Sequence, residues 1–146
     1  MMGRPWLTCG EGTGPPGLRL EVRGDPTQLL PLRRALRAWL QSTGASADDV
    51  TAIQIAAGEA AANAVEHGYL GVEPGPVWLS ADLEPGNVIK VEVGDAGRWR
   101  PQRHHRSNGR GRGLLLMREC VDEVSLSRSP RGTTVVLRLR LGVDHP

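Results

Sequence analysis

Glu59, Asn63 and His67 stand four residues apart in a run that is otherwise small and apolar: Ala56, Ala57, Gly58, Ala60, Ala61, Ala62 and Ala64. On a helix, the spacing i, i+4, i+8 lines all three along one face. A carboxylate there can act as a base. An amide oxygen suits a hard cation such as Mg2+, which completes its shell with water and phosphate oxygens. A solvated polar stripe ending in a histidine is the plainer reading of the same residues. Further on, Gly94-Asp95-Ala96-Gly97 directly follows an alternating apolar run. A carboxylate at a strand end can accept from an exocyclic amine, and a glycine lets a ring approach the backbone; the same residues also make an ordinary turn.

Asn108-Gly109-Arg110-Gly111-Arg112-Gly113 precedes Leu114-Leu115-Leu116-Met117. Alternate glycines expose backbone N–H groups, and a helix starting near Gly113 would add the positive end of its dipole, which together make a phosphate cradle. The lysine of a P-loop is missing and no βαβ unit surrounds the segment, so it is neither a Walker loop nor a Rossmann fingerprint. A flexible linker is the alternative. No acid lies between Asp95 and Glu119, whereas Arg98, Arg100, Arg103, Arg106, Arg110, Arg112, Arg118, His104 and His105 do. Such a stretch suits a polyphosphate, or is a disordered basic loop. Nucleic acid is disfavoured as a partner, because Trp99 alone offers a ring for stacking.

The elements that must position these residues follow from periodicity. Leu18, Leu20 and Val22 alternate with charged residues as in a half-buried strand. Asp25 with Pro26 opens a helix carrying Leu29, Leu32, Leu36, Trp39 and Leu40 inward and Arg33, Arg34 and Arg37 outward, to Gly44. Ser46 and Asp49 resemble a capping box for a long alanine-rich helix to about His67, with Gly68 as its stop. Two alternating runs joined by Glu84-Pro85-Gly86-Asn87 form a hairpin, and a second hairpin turns at Ser129-Pro130-Arg131-Gly132. Strands that are apolar on one face only belong to a sheet covered by helices on that face, an α+β two-layer sandwich.

At 146 residues with 39% hydrophobic and 23% charged, the chain is one globular domain, expected over 18–142, preceded by a Gly- and Pro-rich arm at 1–17 expected to be disordered. A net charge of +2 does not by itself argue for nucleic acid. Cys9 and Cys120 make no disulfide framework, and neither a signal peptide nor a membrane-spanning run is apparent, so a cytoplasmic location is expected.

The order of the motifs carries more than any one of them. Glu59-Ala60-Ala61-Ala62-Asn63-Ala64-Val65-Glu66-His67-Gly68-Tyr69, then Gly94-Asp95-Ala96-Gly97, then Gly111-Arg112-Gly113-Leu114, then Gly132-Thr133-Thr134-Val135 resembles the four-box series of the GHKL ATPases, the superfamily of gyrase and the histidine kinases. Within it, the likeness is to the small bacterial anti-sigma-factor serine/threonine kinases, and it runs from about Leu18 to Leu141. The resemblance implies a Bergerat fold, a mixed and largely antiparallel sheet with ATP held between the long helix and a lid. It implies Asn63 as Mg2+ ligand, with His67 bordering the pocket. Asp95 would bind the adenine amino group with Gly97 beside it, and Thr134 would support that end. Gly109, Gly111, Arg112, Gly113 and Leu114 would line the phosphates. Glu59 would be the base toward a serine or threonine of an anti-anti-sigma (STAS-type) protein, with a sigma factor as second partner. Two departures stand out: Arg98-Trp99 follows Gly97 where other branches continue Gly-x-Gly, and Arg112 lies between glycines where an apolar residue is common. A nucleotide-gated module that sequesters a partner with little phosphotransfer is the alternative, as is a regulatory piece of a larger phosphatase-kinase. The apolar face around Leu29, Leu32 and Leu36 would serve the core or a homodimer.

Overall fold

The computed structural model describes residues 15–69, 73–97 and 108–143, with backbone only for 67–68 and 108–112. The order is β1 (Leu18–Arg23), a short 3-10 turn (Pro26–Gln28), α1 (Leu29–Ser42), α2 (Ala47–Asn63), a π-helical turn (Ala64–Gly68), β2 (Pro76–Glu84), β3 (Val88–Asp95), α3 (Asn108–Cys120), β4 (Glu123–Ser129) and β5 (Gly132–Arg140). The five strands form one sheet in the order β1-β2-β3-β5-β4. Among the described residues every neighbouring pair is antiparallel, so the expected mixed sheet has no parallel ladder. Chain reversals explain this. Two helices between β1 and β2 return the chain antiparallel, and hairpins do the same for β2–β3 and β4–β5. The single helix α3 makes β4 run the same way as β3, but β5 is inserted between them.

Alternation decides which face is covered. Val77, Leu79 and Ala81 of β2, Ile89, Val91 and Val93 of β3, and Val135, Leu137 and Leu139 of β5 are all buried. Lys90 and Glu92 point the other way and pair at 3.9 Å, part of the polar open face. The central helix α2 packs on β3 and β5, flanked by α1 and α3. Its alanines Ala56, Ala57, Ala60, Ala61 and Ala64 are buried, small side chains that let the helix lie close on the sheet. Leu32 and Leu36 of α1 are buried in the same core, which absorbs the face around them. Each such leucine contributes about 1.5–3 kcal/mol by leaving water. No helix among the described residues is long and apolar enough to cross a membrane.

Caps behave as the sequence implies, with one change. Asp25 accepts from Thr27 N–H at 2.9 Å, and Ser46 Oγ accepts from Asp49 N–H at 3.1 Å. Asp49, however, is buried and accepts from Gly142 N–H at 3.1 Å, tying α2's first turn to the chain beyond β5. The expected arm is described only from Pro15 onward, where the Trp39 indole N–H donates to the Pro16 carbonyl at 2.8 Å; residues 1–14 lie outside the described residues.

Candidate functional site

The third helix begins five residues earlier than the glycines led us to expect. α3 starts at Asn108 and runs through Gly109, Gly111, Arg112 and Gly113 as helix. Glycine costs a helix interior about 1 kcal/mol relative to alanine, but packing on α2 overrides it. A Cβ on Gly113 would stand 3.0 Å from Glu59 Oε2 and 3.3 Å from Asn63 Nδ2. Gly113 is therefore seated directly on the pair that the helical spacing aligned. Glu59 and Asn63 are both half-buried. Leu114, next along α3, is also half-buried, while the Arg112 side chain and residues 98–107 lie outside the described residues.

Below Asn63 the helix changes pitch. Ala64–Gly68 form a π turn, which widens the backbone by almost one residue per turn, and such bulges recur at functional sites. The His67 backbone sits in that turn rather than on a further α turn; its side chain lies outside the described residues.

At the end of β3, Asp95 is 4% exposed. Its Oδ1 accepts from Gly97 N–H at 2.9 Å, and its carboxylate also accepts from the backbone N–H of Thr133. Burial pushes its pKa above the ordinary carboxylate value, and the two N–H donors partly oppose that rise. Register separates the two threonines of β5. Thr133 pairs with Asp95 and Thr134 with Gly94, so Thr133 shares the helix-covered face with Asp95 while Thr134 belongs to the open face. Thr134, the residue expected at the base end, therefore lies on the face opposite Asp95, because strand side chains alternate with period two.

A residue that the motif contained but that received no role is Tyr69. Its hydroxyl accepts from Ala96 N–H at 2.9 Å and donates to the Pro76 carbonyl at 2.6 Å. Burial raises its pKa, so the hydroxyl stays protonated as a donor. Nothing local in the sequence signals those two partners.

On α2's flank with α1, Glu59 also borders an open groove of ≈ 640 Å³ lined by Leu30, Arg33, Arg34, Arg37, Ile55 and Gly58 among others. Arg33 Nε would lie 3.2 Å from a Cβ on Gly58, and the Arg33 carbonyl accepts from Gln54 Nε2 at 2.9 Å. Leu30 and Ile55 expose 51% and 42% of their surface, giving the groove apolar patches beside three exposed arginines.

A carboxylate and an amide facing α3, and a buried aspartate at the end of β3, thus sit on an α2-centred sandwich, the fold of a class of ATPase domains. The chain belongs to the histidine kinase-like ATPase domain family, whose profile matches residues 22–139. Within the GHKL superfamily it falls in the anti-sigma-factor kinase branch. It is 27% identical over 124 residues to the anti-sigma F factor of Halalkalibacterium halodurans, covering 75% of this chain and 82% of that protein. The anti-sigma F factor of Bacillus licheniformis is 27% identical over 120 residues, with the same coverage. Among solved structures, the RsbU and RsbW domains of a Mycobacterium tuberculosis protein superpose with TM-score 0.73 at 28% identity, over 87% of this chain and 33% of that one. The chain thus spans about a third of that solved protein. The histidine kinase domain of a blue-light-activated kinase from Erythrobacter litoralis shares the fold, with TM-score 0.59 at 22% identity over 79% of this chain and 60% of that one.

Proposed function

We propose that this chain is an ATP- and Mg2+-dependent serine/threonine kinase that phosphorylates an anti-anti-sigma protein of STAS type and holds a sigma factor inactive, in the cytoplasm. The observation that carries the reading is the seating of Gly113 against Glu59 and Asn63, which brings a carboxylate and an amide together where α3 meets α2. The adenine amino group would donate to Asp95, with Gly97 beside the ring and Thr133 behind the carboxylate. The phosphates would run toward the start of α3, whose free N–H groups and dipole favour anions.

The donors present fit Mg2+: Asn63 would offer an amide oxygen, and the metal takes its remaining ligands from water and phosphates rather than from a protein cage. When bound, it neutralises charge on the phosphate oxygens. Glu59 would take the proton of the attacking hydroxyl as the new O–P bond forms and the bond to the β-phosphate oxygen breaks, leaving ADP. The partner would dock in the groove beside Glu59, where exposed arginines and the apolar patches of Leu30 and Ile55 fit an acidic protein surface and bring its hydroxyl to the base.

The test is transfer of labelled phosphate from ATP to a STAS protein by wild type, Glu59→Gln and Asn63→Ala. Glu59→Gln is expected to lower transfer by about 10²–10⁴-fold with ATP and partner binding retained. Asn63→Ala is expected to abolish the Mg2+ dependence of ATP binding. A wild type that binds both ATP and partner but transfers nothing would leave the sequestering module in place of the kinase.

A further inference from the structure

Two backbone N–H groups follow Asp95, and both are held. Gly97 N–H goes to Asp95 itself, and Ala96 N–H goes to the Tyr69 hydroxyl at 2.9 Å. The β2–β3 ladder ends at the Val77–Asp95 pair, so beyond it the turn depends on these side-chain bonds. The Tyr69 ring is clamped in turn: a Cβ on Gly75 would stand 2.9 Å from it and a Cβ on Gly24 3.0 Å, while Gly24 N–H donates to the Gly75 carbonyl at 2.7 Å. Tyr69 immediately follows the π turn that carries the chain on from Asn63. One phenol therefore joins the end of the helix bearing Glu59 and Asn63 to the turn bearing Asp95.

We infer that Tyr69 is a positioning residue for the base end of the nucleotide site, holding the Asp95–Gly97 turn through Ala96 so that the Asp95 carboxylate meets the amino group of an adenine rather than an oxo purine. The inference rests on the nucleotide reading above. Without the hydroxyl, Ala96 N–H and the Pro76 carbonyl turn to water, and Asp95, whose orientation is set by its bond to Gly97, moves with the turn. The loss falls on the interaction with the 6-amino group, not on the phosphates.

Tyr69→Phe keeps the ring on Gly24 and Gly75 and removes only the two bonds. In the ligand-free protein, the Ala96 amide is expected to be protected from hydrogen exchange in wild type and to exchange at least about tenfold faster in the variant. Calorimetric titration is expected to show about three- to tenfold weaker ATP binding, the equivalent of one hydrogen bond, and a smaller change for ITP, which lacks the amino group, so that the ATP-to-ITP ratio narrows. Gly75→Ala, which displaces the same phenol by its methyl, is expected to narrow the ratio too and covers the case of a misfolded Tyr69→Phe. Equal losses for ATP and ITP, an unchanged ATP affinity, or an unprotected Ala96 amide in wild type would each overturn the proposal. A wild type that binds neither nucleotide removes the nucleotide reading, and this proposal with it, whatever the exchange rates.

Discussion

Asp95 is a charge kept out of water before any ligand arrives. Its raised pKa comes chiefly from burial, opposed by the Gly97 and Thr133 N–H groups. A carboxyl raised in the folded state binds its proton more tightly there than in the unfolded chain. As pH climbs past the ordinary carboxylate value, the unfolded chain loses the proton first and stability falls, until pH has passed the folded value and the loss is complete. Asp95→Asn keeps an oxygen for Gly97 N–H and carries no charge. We expect its melting temperature, relative to wild type, to rise from acid toward neutral pH. Its ATP affinity should fall by more than tenfold as a charge-assisted bond is lost. Thermal melts across that range, with an ATP titration at neutral pH, check both. A neutral-pH variant less stable than wild type would contradict the account. Glu59 and Asn63 were legible as a pair because both lie on one α-helical stretch; the π turn that follows and holds the His67 backbone was not, because its pitch departs from the period of 3.6 residues.

Among the elements, the β4–β5 hairpin bears most directly on the site. Gly132 opens β5 with φ 145°, and a Cβ there would overlap the Asp95 carbonyl. Only glycine combines that backbone angle with that approach. Gly132→Ala should cost about 1–3 kcal/mol, visible as a lower urea midpoint, and should weaken ATP binding by pushing the end of β3. If stability falls while ATP affinity holds, the hairpin does not set the position of Asp95. The start of α3 is the element the sequence placed wrongly. A run of alternate glycines and arginines has low helix propensity, and that local preference yields to the contact of Gly113 with α2. The alternating strands β2, β3 and β5, by contrast, were readable to within a few residues, since each has one buried face and a slip of one residue would expose it.

At the scale of the molecule, charge is informative by place rather than by sum. The net +2 predicts no partner, yet Arg33, Arg34 and Arg37 line one groove that reaches Glu59. Arg33→Glu is expected to weaken capture of the acidic partner by more than tenfold while leaving ATP affinity unchanged, and wild-type capture should fall as salt rises. Surface resonance with the STAS protein at two ionic strengths measures both. Partner affinity unaffected by the reversal would move docking off this groove.

The sequence by itself determined which side chains go inward, that helices cover one face of an antiparallel-rich sheet, and the order of four motifs that marks the family. Each is a local property, carried by a period of 2 or 3.6 residues or by a short run of contiguous residues. Only the tertiary structure decided that Thr133 rather than Thr134 supports Asp95, that Gly113 meets Glu59 and Asn63, and that the Tyr69 hydroxyl reaches Ala96 and Pro76. Those facts depend on strand register and on helix packing between segments far apart in the chain, and no local period encodes either.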